Sequence, residues 1–324
     1  MVPLAEEPLE LGSSGLRVPG ACIGTWSWGS RVVWGYGRGY DWRDLCAVYS
    51  ECLRSGINFF DTAELYGLGA SERLLGECIR SLGGGPLVAT KFSPLYRRRK
   101  SSVRRALVSS LGRLGLKRVA LYQVHQFDSI SRIPRWMEAM AELRSEGLIQ
   151  AIGVSNYFAP EMGVAIDELA RRGLRLDSNQ IHLSLLYRRH ERSGLLSMCR
   201  ERGVTVLAYM PLCLGVLTGK YGPKKLPGNP VRRLVVRKRL LERAAPLLDT
   251  MRRIAEGKGR TMAQVAINWV RAKGAIPLVG VKSLRQLEDV KGALSWSLTG
   301  AELNELDGAS DALGVEPLRT FWRS

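Results

Sequence analysis

No apolar run in this 324-residue chain approaches the roughly 18 consecutive residues that a membrane-crossing helix needs, which argues against an integral membrane protein. Histidine is scarce, at three residues, and the six cysteines (Cys22, Cys46, Cys52, Cys78, Cys199, Cys213) include no C-x-x-C pair and no Cys/His group at zinc spacing. A metal site is therefore not expected, and the cysteines read as reduced thiols of an intracellular protein, with Cys46–Cys52 as the one pairing left open. The opening MVPLAEEPLELGSSGL lacks both a basic and an apolar leader region, so the expected location is cytoplasmic. Acidic residues are also in short supply. Thirty Asp and Glu against 48 Lys and Arg leave a net charge of +18. Such a surplus opens a polyanion-binding reading, but no recognition helix, zinc finger or RNA-binding motif accompanies it, so no specific nucleic-acid partner is expected. What is present is ordinary globular composition, 45% hydrophobic and 24% charged, which excludes a disordered chain.

Short apolar runs alternate with amphipathic stretches. The runs are ACIGTW (21–26), INFFDT (57–62), PLVATK (86–91), VALYQVH (119–125), AIGVSN (151–156), RLDSNQ (175–180), VTVLAY (204–209) and IPLVGV (276–281). Between them, helical spacing marks 42–55, 71–81, 101–114, 133–146, 159–172, 195–202 and 261–273, with Ser71 before Glu72 as an N-cap. Near-continuous hydrophobic strands imply parallel pairing with both faces buried. Eight strand–helix units predict a closed (β/α)8 barrel forming a single domain over residues 1–324, as against an open doubly wound sheet. The open sheet would carry a Gly-rich phosphate turn after its first strand. Here Gly83-Gly84-Gly85 precedes a strand, and WSWGSRVVWGYGRGY is too irregular for that fingerprint. About sixty residues separate the seventh and eighth runs. They include the basic, Pro- and Gly-rich GKYGPKKLPGNPVRRLVVRKR, which reads as a long functional lid.

In such a barrel the strand C-termini build the site. The polar residues there are Asp61, Lys91, His125, Ser155-Asn156, Asn179-Gln180, Tyr209 and Lys282-Ser283, with Tyr66 just beyond Asp61. Any one of them alone reads equally as a cap or turn former; the set makes a reaction. A tyrosine titrates near pH 10, a lysine ammonium beside it favours the phenolate, and a carboxylate fixes the lysine. Asp61, Lys91 and Tyr66 thus form a tuned general acid, and His125 can polarise a carbonyl oxygen. Protonating that oxygen while hydride arrives is carbonyl reduction. No side chain supplies hydride, so a nicotinamide must.

The segments FFDTAELYG (59–67), VATKF (88–92), LYQVHQFD (121–128), IGVSNY (152–157), SNQIHLSLLYRR (178–189), LTGKY (217–221) and IPLVGVKSLRQLEDV (276–290) occur in an order and spacing that resemble the aldo/keto reductase family over nearly the whole chain, its opening hairpin (LGSSGLRVPG) included. LSLLYRR and LTGKY are similar to the longer aldehyde reductases, pyridoxal reductase-like members among them. The resemblance implies an NADPH-dependent reductase with a tetrad of Asp61, Tyr66, Lys91 and His125. Histidine rather than glutamate at the last position favours carbonyl over carbon–carbon double-bond reduction. It implies that Ser155, Asn156 and Gln180 hold the nicotinamide carboxamide, that Tyr209 stacks on the ring, and that Gly24, Thr25 and Trp26 lie close by. Pro211, Leu212, Gly215, Leu217 and Lys220 would follow the pyrophosphate; Gly280, Lys282, Ser283, Arg285, Gln286 and Asp289 would meet the adenosine 2′-phosphate end. Met210 stands where the family usually has serine, and Asp289 where it usually has asparagine.

Trp28, Trp34, Phe127 and Tyr157 also follow strand ends, as substrate-pocket walls or as loop anchors. Lys224, Lys225, Arg232 and Arg233 in the lid suggest a preference for anionic aldehydes. A tail with Phe321 and Trp322 could fold over the pocket, and His182 and His190 are expected off the strand ends. The rival reading from another class is an NADPH-binding regulatory subunit with negligible turnover. No membrane partner is expected, and the chain is expected to be a monomer or weak homo-oligomer. Most of the surplus charge (Arg104, Arg105, Arg171, Arg172, Arg252, Arg253) reads as solvated helix faces.

Overall fold

Two short strands, β1 (Leu9–Glu10) and β2 (Arg17–Val18), pair antiparallel at the start of the computed structural model, which describes residues 7–314. Phe321 and Trp322 lie outside the described residues. Eight parallel strands follow: β3 (Cys22–Gly24), β4 (Phe59–Asp61), β5 (Leu87–Phe92), β6 (Val119–Val124), β7 (Ile149–Ser155), β8 (Ser178–His182), β9 (Thr205–Tyr209) and β10 (Ala275–Gly280). They neighbour one another in chain order, and β10 pairs with both β9 and β3 to close the (β/α)8 barrel. The barrel interior is a packed core of Cys22, Phe59, Ala89, Leu121, Ala151, Leu207 and Ile276, one residue from most strands, and Leu11 and Val18 of the hairpin are buried against it. The Gly12 amide, donating to Thr205 Oγ1 (2.7 Å), ties the hairpin to the start of β9, so it covers the end of the barrel opposite the strand C-termini.

Around the barrel run α1 (Arg31–Trp34), α2 (Trp42–Arg54), α3 (Ala70–Leu82), α4 (Ser101–Leu114), α5 (Ile133–Ser145), α6 (Ala159–Ala170), α7 (Arg189–Arg192), α8 (Leu195–Glu201), α9 (Pro230–Arg233), α10 (Lys238–Gly257), α11 (Met262–Ala272), α12 (Leu284–Ala293) and α13 (Gly300–Asp311). Capping boxes start α2 (Asp41/Asp44), α11 (Thr261/Gln264) and α13 (Thr299/Glu302) by satisfying the first free amides. Helix α3 departs from the N-cap expected at Ser71. Gly69, at φ +82°, caps it, and Ser71 lies in the first turn with its hydroxyl donating to Thr25 O (2.8 Å).

The expected lid is only partly a lid. Helix α10 occupies a third of it and buries Leu240, Leu241, Ala244, Leu247, Leu248, Met251, Ile254 and Ala255 against α11 and α13. The sixth barrel strand begins at Ser178, three residues later than expected, and ends on His182, which the sequence had placed off the strand ends. All six cysteines are free. The neighbour of Cys46 is Cys78, at 3.3 Å between sulfurs, and not Cys52. Among the described residues no helix is long and apolar enough to cross a membrane.

Candidate active site

Four strand ends deliver one buried polar cluster. Asp61 closes β4, Lys91 sits one residue from the end of β5, and both side chains are almost wholly buried. Their ion pair is 2.5 Å long, and the Lys91 ammonium also donates to Thr62 O (2.8 Å) and lies 3.2 Å from the Tyr66 hydroxyl. The other carboxylate oxygen of Asp61 accepts from Gln180 Nε2 in β8 (2.8 Å) and Gln123 Nε2 in β6 (3.2 Å). Such saturation is what a buried ion pair needs, because each unmet partner would leave a desolvated charge. Tyr66 is presented by the turn after β4, where its amide donates to Ala63 O (3.1 Å). His125 follows β6, is fixed by its amide bond to Phe92 O (2.8 Å), and stands edge-on to the Tyr66 ring.

Burial sets the titration of the group. It pulls the Lys91 ammonium down, but the charges and hydrogen bonds of Asp61 and Tyr66 outweigh it and hold Lys91 above the ordinary lysine value. At Tyr66 burial wins. The phenol lies above its usual value despite Lys91, whose charge acts in the opposite direction. The expected net lowering is therefore reversed. Burial, then the Lys91 charge, pushes His125 down to about 3, so its imidazole is neutral.

Tyr66 and His125 face a cavity of about 740 Å³ along the strand C-termini. Of the residues expected there, Gly24, Trp26, Trp34, Phe127, Ser155, Asn156, Gln180, Tyr209, Pro211, Leu212, Gly215, Lys220, Gly280, Lys282, Gln286 and Asp289 line it. Asn156 holds a left-handed conformation (φ +60°) and accepts from the Tyr209 hydroxyl (2.9 Å), while the Ser155 hydroxyl donates to Gln180 O (2.9 Å). The Gln180 amide nitrogen is engaged by Asp61, which leaves its oxygen for a ligand. Asp289 is held by the Thr261 hydroxyl (2.7 Å), so its charge is hydrogen-bonded beside the cavity.

Other expected residues lie elsewhere. Trp28 is fully buried with its indole donating to Val281 O (2.9 Å), and Tyr157 is fully buried behind Phe127; both are anchors and not cavity walls. Thr25 is buried and donates to Asp61 O (2.8 Å), bracing β4, and Leu217 is core. Ser283 takes the N-cap position of α12, and Arg285 is exposed at the rim. His182 stacks between Tyr187 and Tyr209 at 4.1 and 5.2 Å, in the layer behind the cavity wall. Leu65, Leu95, Phe158 and Leu278 also line the cavity, and Gln123 holds Asp61, without a strand-end position to mark them. Of these Gln123 was recoverable: it shares inward parity with Leu121 in a hydrophobic strand, where a polar side chain must meet a partner.

One end of the cavity is strongly cationic. Burial, followed by the charges of Arg232, Lys282 and Arg285, lowers Lys220 to about 8, and burial and Arg232 also lower Lys282. Among the described residues none of these four cations forms an ion pair. Arg232 donates to Leu214 O and to the Tyr221 hydroxyl (2.9 Å) and covers the Trp34 ring, and Asn229 reaches Val32 O (2.7 Å), so α9 clasps the loop of α1. Arg233 donates to Pro227 O (2.6 Å). Arg232 and Arg233 are thus committed to loop backbone, while Lys224 and Lys225 are exposed. A Cβ on Gly215 would come within 2.7 Å of the Lys220 ammonium, so the glycine keeps this end open. Unpaired cations, an open backbone and the polar groups of Asn156 and Gln180 suit an elongated anionic cofactor with an amide head.

Residues 21–311 match the model of the aldo/keto reductase family. The chain is 38% identical to the chloroplastic pyridoxal reductase of Arabidopsis thaliana over 303 residues, covering 89% of this chain and 82% of that one. It is 28% identical to an NADP(+) aldo-keto reductase of Schizosaccharomyces pombe, covering 82% of each. Among solved structures it resembles a glycerol dehydrogenase from Gluconobacter oxydans, at 25% identity and a TM-score of 0.81 over 98% of this chain and 99% of that one. A thermostable aldo-keto reductase solved with the inhibitor epalrestat superimposes at a TM-score of 0.75 and 26% identity, over 94% and 100%. With its barrel and most of its length matched, this chain belongs to the aldo/keto reductase family and is an oxidoreductase by that membership.

Proposed function

We propose that this protein reduces aldehydes or ketones to alcohols with NADPH. The observation that carries the reading is the Tyr66 hydroxyl, held 3.2 Å from a buried ammonium at the edge of a cavity that also presents a neutral imidazole. NADPH, when bound, supplies hydride to the carbonyl carbon. Ser155, Asn156 and Gln180 would hold its carboxamide, Tyr209 its ring, the 211–220 segment with Lys220 its pyrophosphate, and Lys282 and Arg285 its phosphomonoester. The remaining chemistry belongs to the chain. His125 donates an N–H to the carbonyl oxygen and orients it between Trp26, Trp34 and Phe127. Tyr66 passes its proton to that oxygen, and Lys91, locked by Asp61, stabilises the phenolate left behind. The raised value of Tyr66 keeps the proton in place until the oxygen gains charge. Among the described residues Lys220 and Lys282 form no ion pair, and the nearby Asp289 is hydrogen-bonded to Thr261, which supports NADPH over NADH.

The test is NADPH oxidation across aldehydes, ketones and pyridoxal, the last because the Arabidopsis relative is a pyridoxal reductase. Tyr66→Phe is expected to lower kcat by at least 100-fold, the scale of general acid catalysis, while leaving NADPH binding by fluorescence within about threefold. Bound NADPH without turnover on any substrate would instead support the regulatory reading; full activity in the variant would remove Tyr66 from its role.

A further inference from the structure

Beside the cleft, on the other side of the segment after β5, lies a second cavity of about 560 Å³. Leu95 lines the first cavity; Tyr96, Arg97, Arg98 and Arg99 line the second. Five arginines surround it against one lining carboxylate, Glu64. Two of the five are already engaged. Arg97 grips Glu64 through both terminal nitrogens (2.5 and 3.0 Å), and Arg113 donates to Glu72 (2.6 Å). Among the described residues Arg98, Arg99 and Arg105 form no ion pair.

The framework that carries these cations is fixed. The Arg97 amide donates to Pro94 O (3.0 Å), Arg135 donates to Arg98 O, and the Ser102 hydroxyl donates to Arg99 O. Arg105 lies one turn into α4, with the Ser109 hydroxyl on the same face as a neutral donor. Glu64 adds a bond from the Ser93 amide (2.7 Å), so the loop is braced from both ends. Arg98, Arg99 and Arg105 line one cavity with exposed side chains, and an anion that accepts from their guanidinium forks relieves their mutual repulsion. Planar forks match phosphate oxygens, and three unpaired charges exceed what one carboxylate neutralises.

We propose that this cavity binds a compact anion bearing phosphate groups, at a site distinct from the cations around Lys220. The test is calorimetric titration of the full chain with inorganic pyrophosphate in 0.15 M salt. K220Q/K282Q protein, which lacks the other cationic cluster, is expected to bind one equivalent. Adding R98Q/R99Q/R105Q should weaken that binding at least tenfold, and R98K/R99K/R105K, which keeps the charge but removes the forks, should weaken it at least threefold. In the otherwise wild-type chain the glutamine triple should abolish one of two equivalents, a readout independent of how the K220Q/K282Q background folds. Absence of binding in the background protein, an unchanged affinity in the glutamine triple, or full affinity in the lysine triple would each overturn the site, the last by reducing it to a general positive field.

Discussion

At Tyr66 two effects of burial meet. The packed surroundings disfavour a phenolate, and the same burial brings Lys91 to 3.2 Å, where its charge favours one. Desolvation prevails, so the proton stays on through neutral pH. The sign for activity follows. A group whose value is raised above about 10 donates below that value and stops donating as the pH rises through it. His125, neutral above about 3, contributes no step between pH 5 and 8. The expected kcat/KM for aldehyde reduction is flat from pH 5 to 9 and declines in stronger alkali, with alcohol oxidation rising over the alkaline range. A step centred near 6.5 that vanishes in His125→Gln would show instead that the imidazole titrates in the cleft.

Among the elements, β7 shows how closely strand packing and site geometry are linked. A Cβ on Gly153 would meet Ser178 Oγ at 2.4 Å and the Gln123 side chain at 2.8 Å, and Gln123 is one of the three groups that hold Asp61. Gly153→Ala is expected to cost about 1–3 kcal/mol by overpacking. It should also lower kcat more than it raises KM, because the shift reaches Asp61 before it reaches the cavity wall. Thermal unfolding and steady-state kinetics on one preparation check both; a stability loss with kcat unchanged would uncouple them. The eight strands and the residues at their ends were legible because a parallel barrel reads as apolar runs closed by polar residues. The interior was harder to read. Inward parity alone marks Gln123, and buried strands hydrophobic on both faces hide parity. The start of β8 slipped because RLD reads as strand, although Asp177 serves its neighbours, accepting from the Ile152 amide (2.8 Å) and Arg144 (3.0 Å). Helix α10 carries a helical apolar spacing, but the dense cations on its other face and Pro246 masked it, and the segment reads from sequence as a lid. The N-cap of α3 went to Gly69 because Ser71 is drawn inward by Thr25 and Thr62.

For the molecule as a whole, the cations behind the surplus of 18 positive charges stand in different settings. Arg104, Arg171, Arg172, Arg252 and Arg253 each meet a carboxylate at the surface, where such pairs contribute about 0–1 kcal/mol. Two groups of cations without a carboxylate partner among the described residues line the two cavities, around Lys220 and around Arg98. The bonds to Asp61 set an order of assembly. They come from Lys91, Gln123 and Gln180, the last 119 residues away along the chain, so no contiguous fragment short of that span contains them. The helices need only local sequence; the Asp61 cluster needs β4, β5, β6 and β8 brought together, with the entropy of the loops between them already spent. On refolding from denaturant, reductase activity is therefore expected to return after most of the far-ultraviolet ellipticity, and simultaneous recovery would contradict this order. The buried setting of Tyr66 is thus complete only once β8 has joined the sheet.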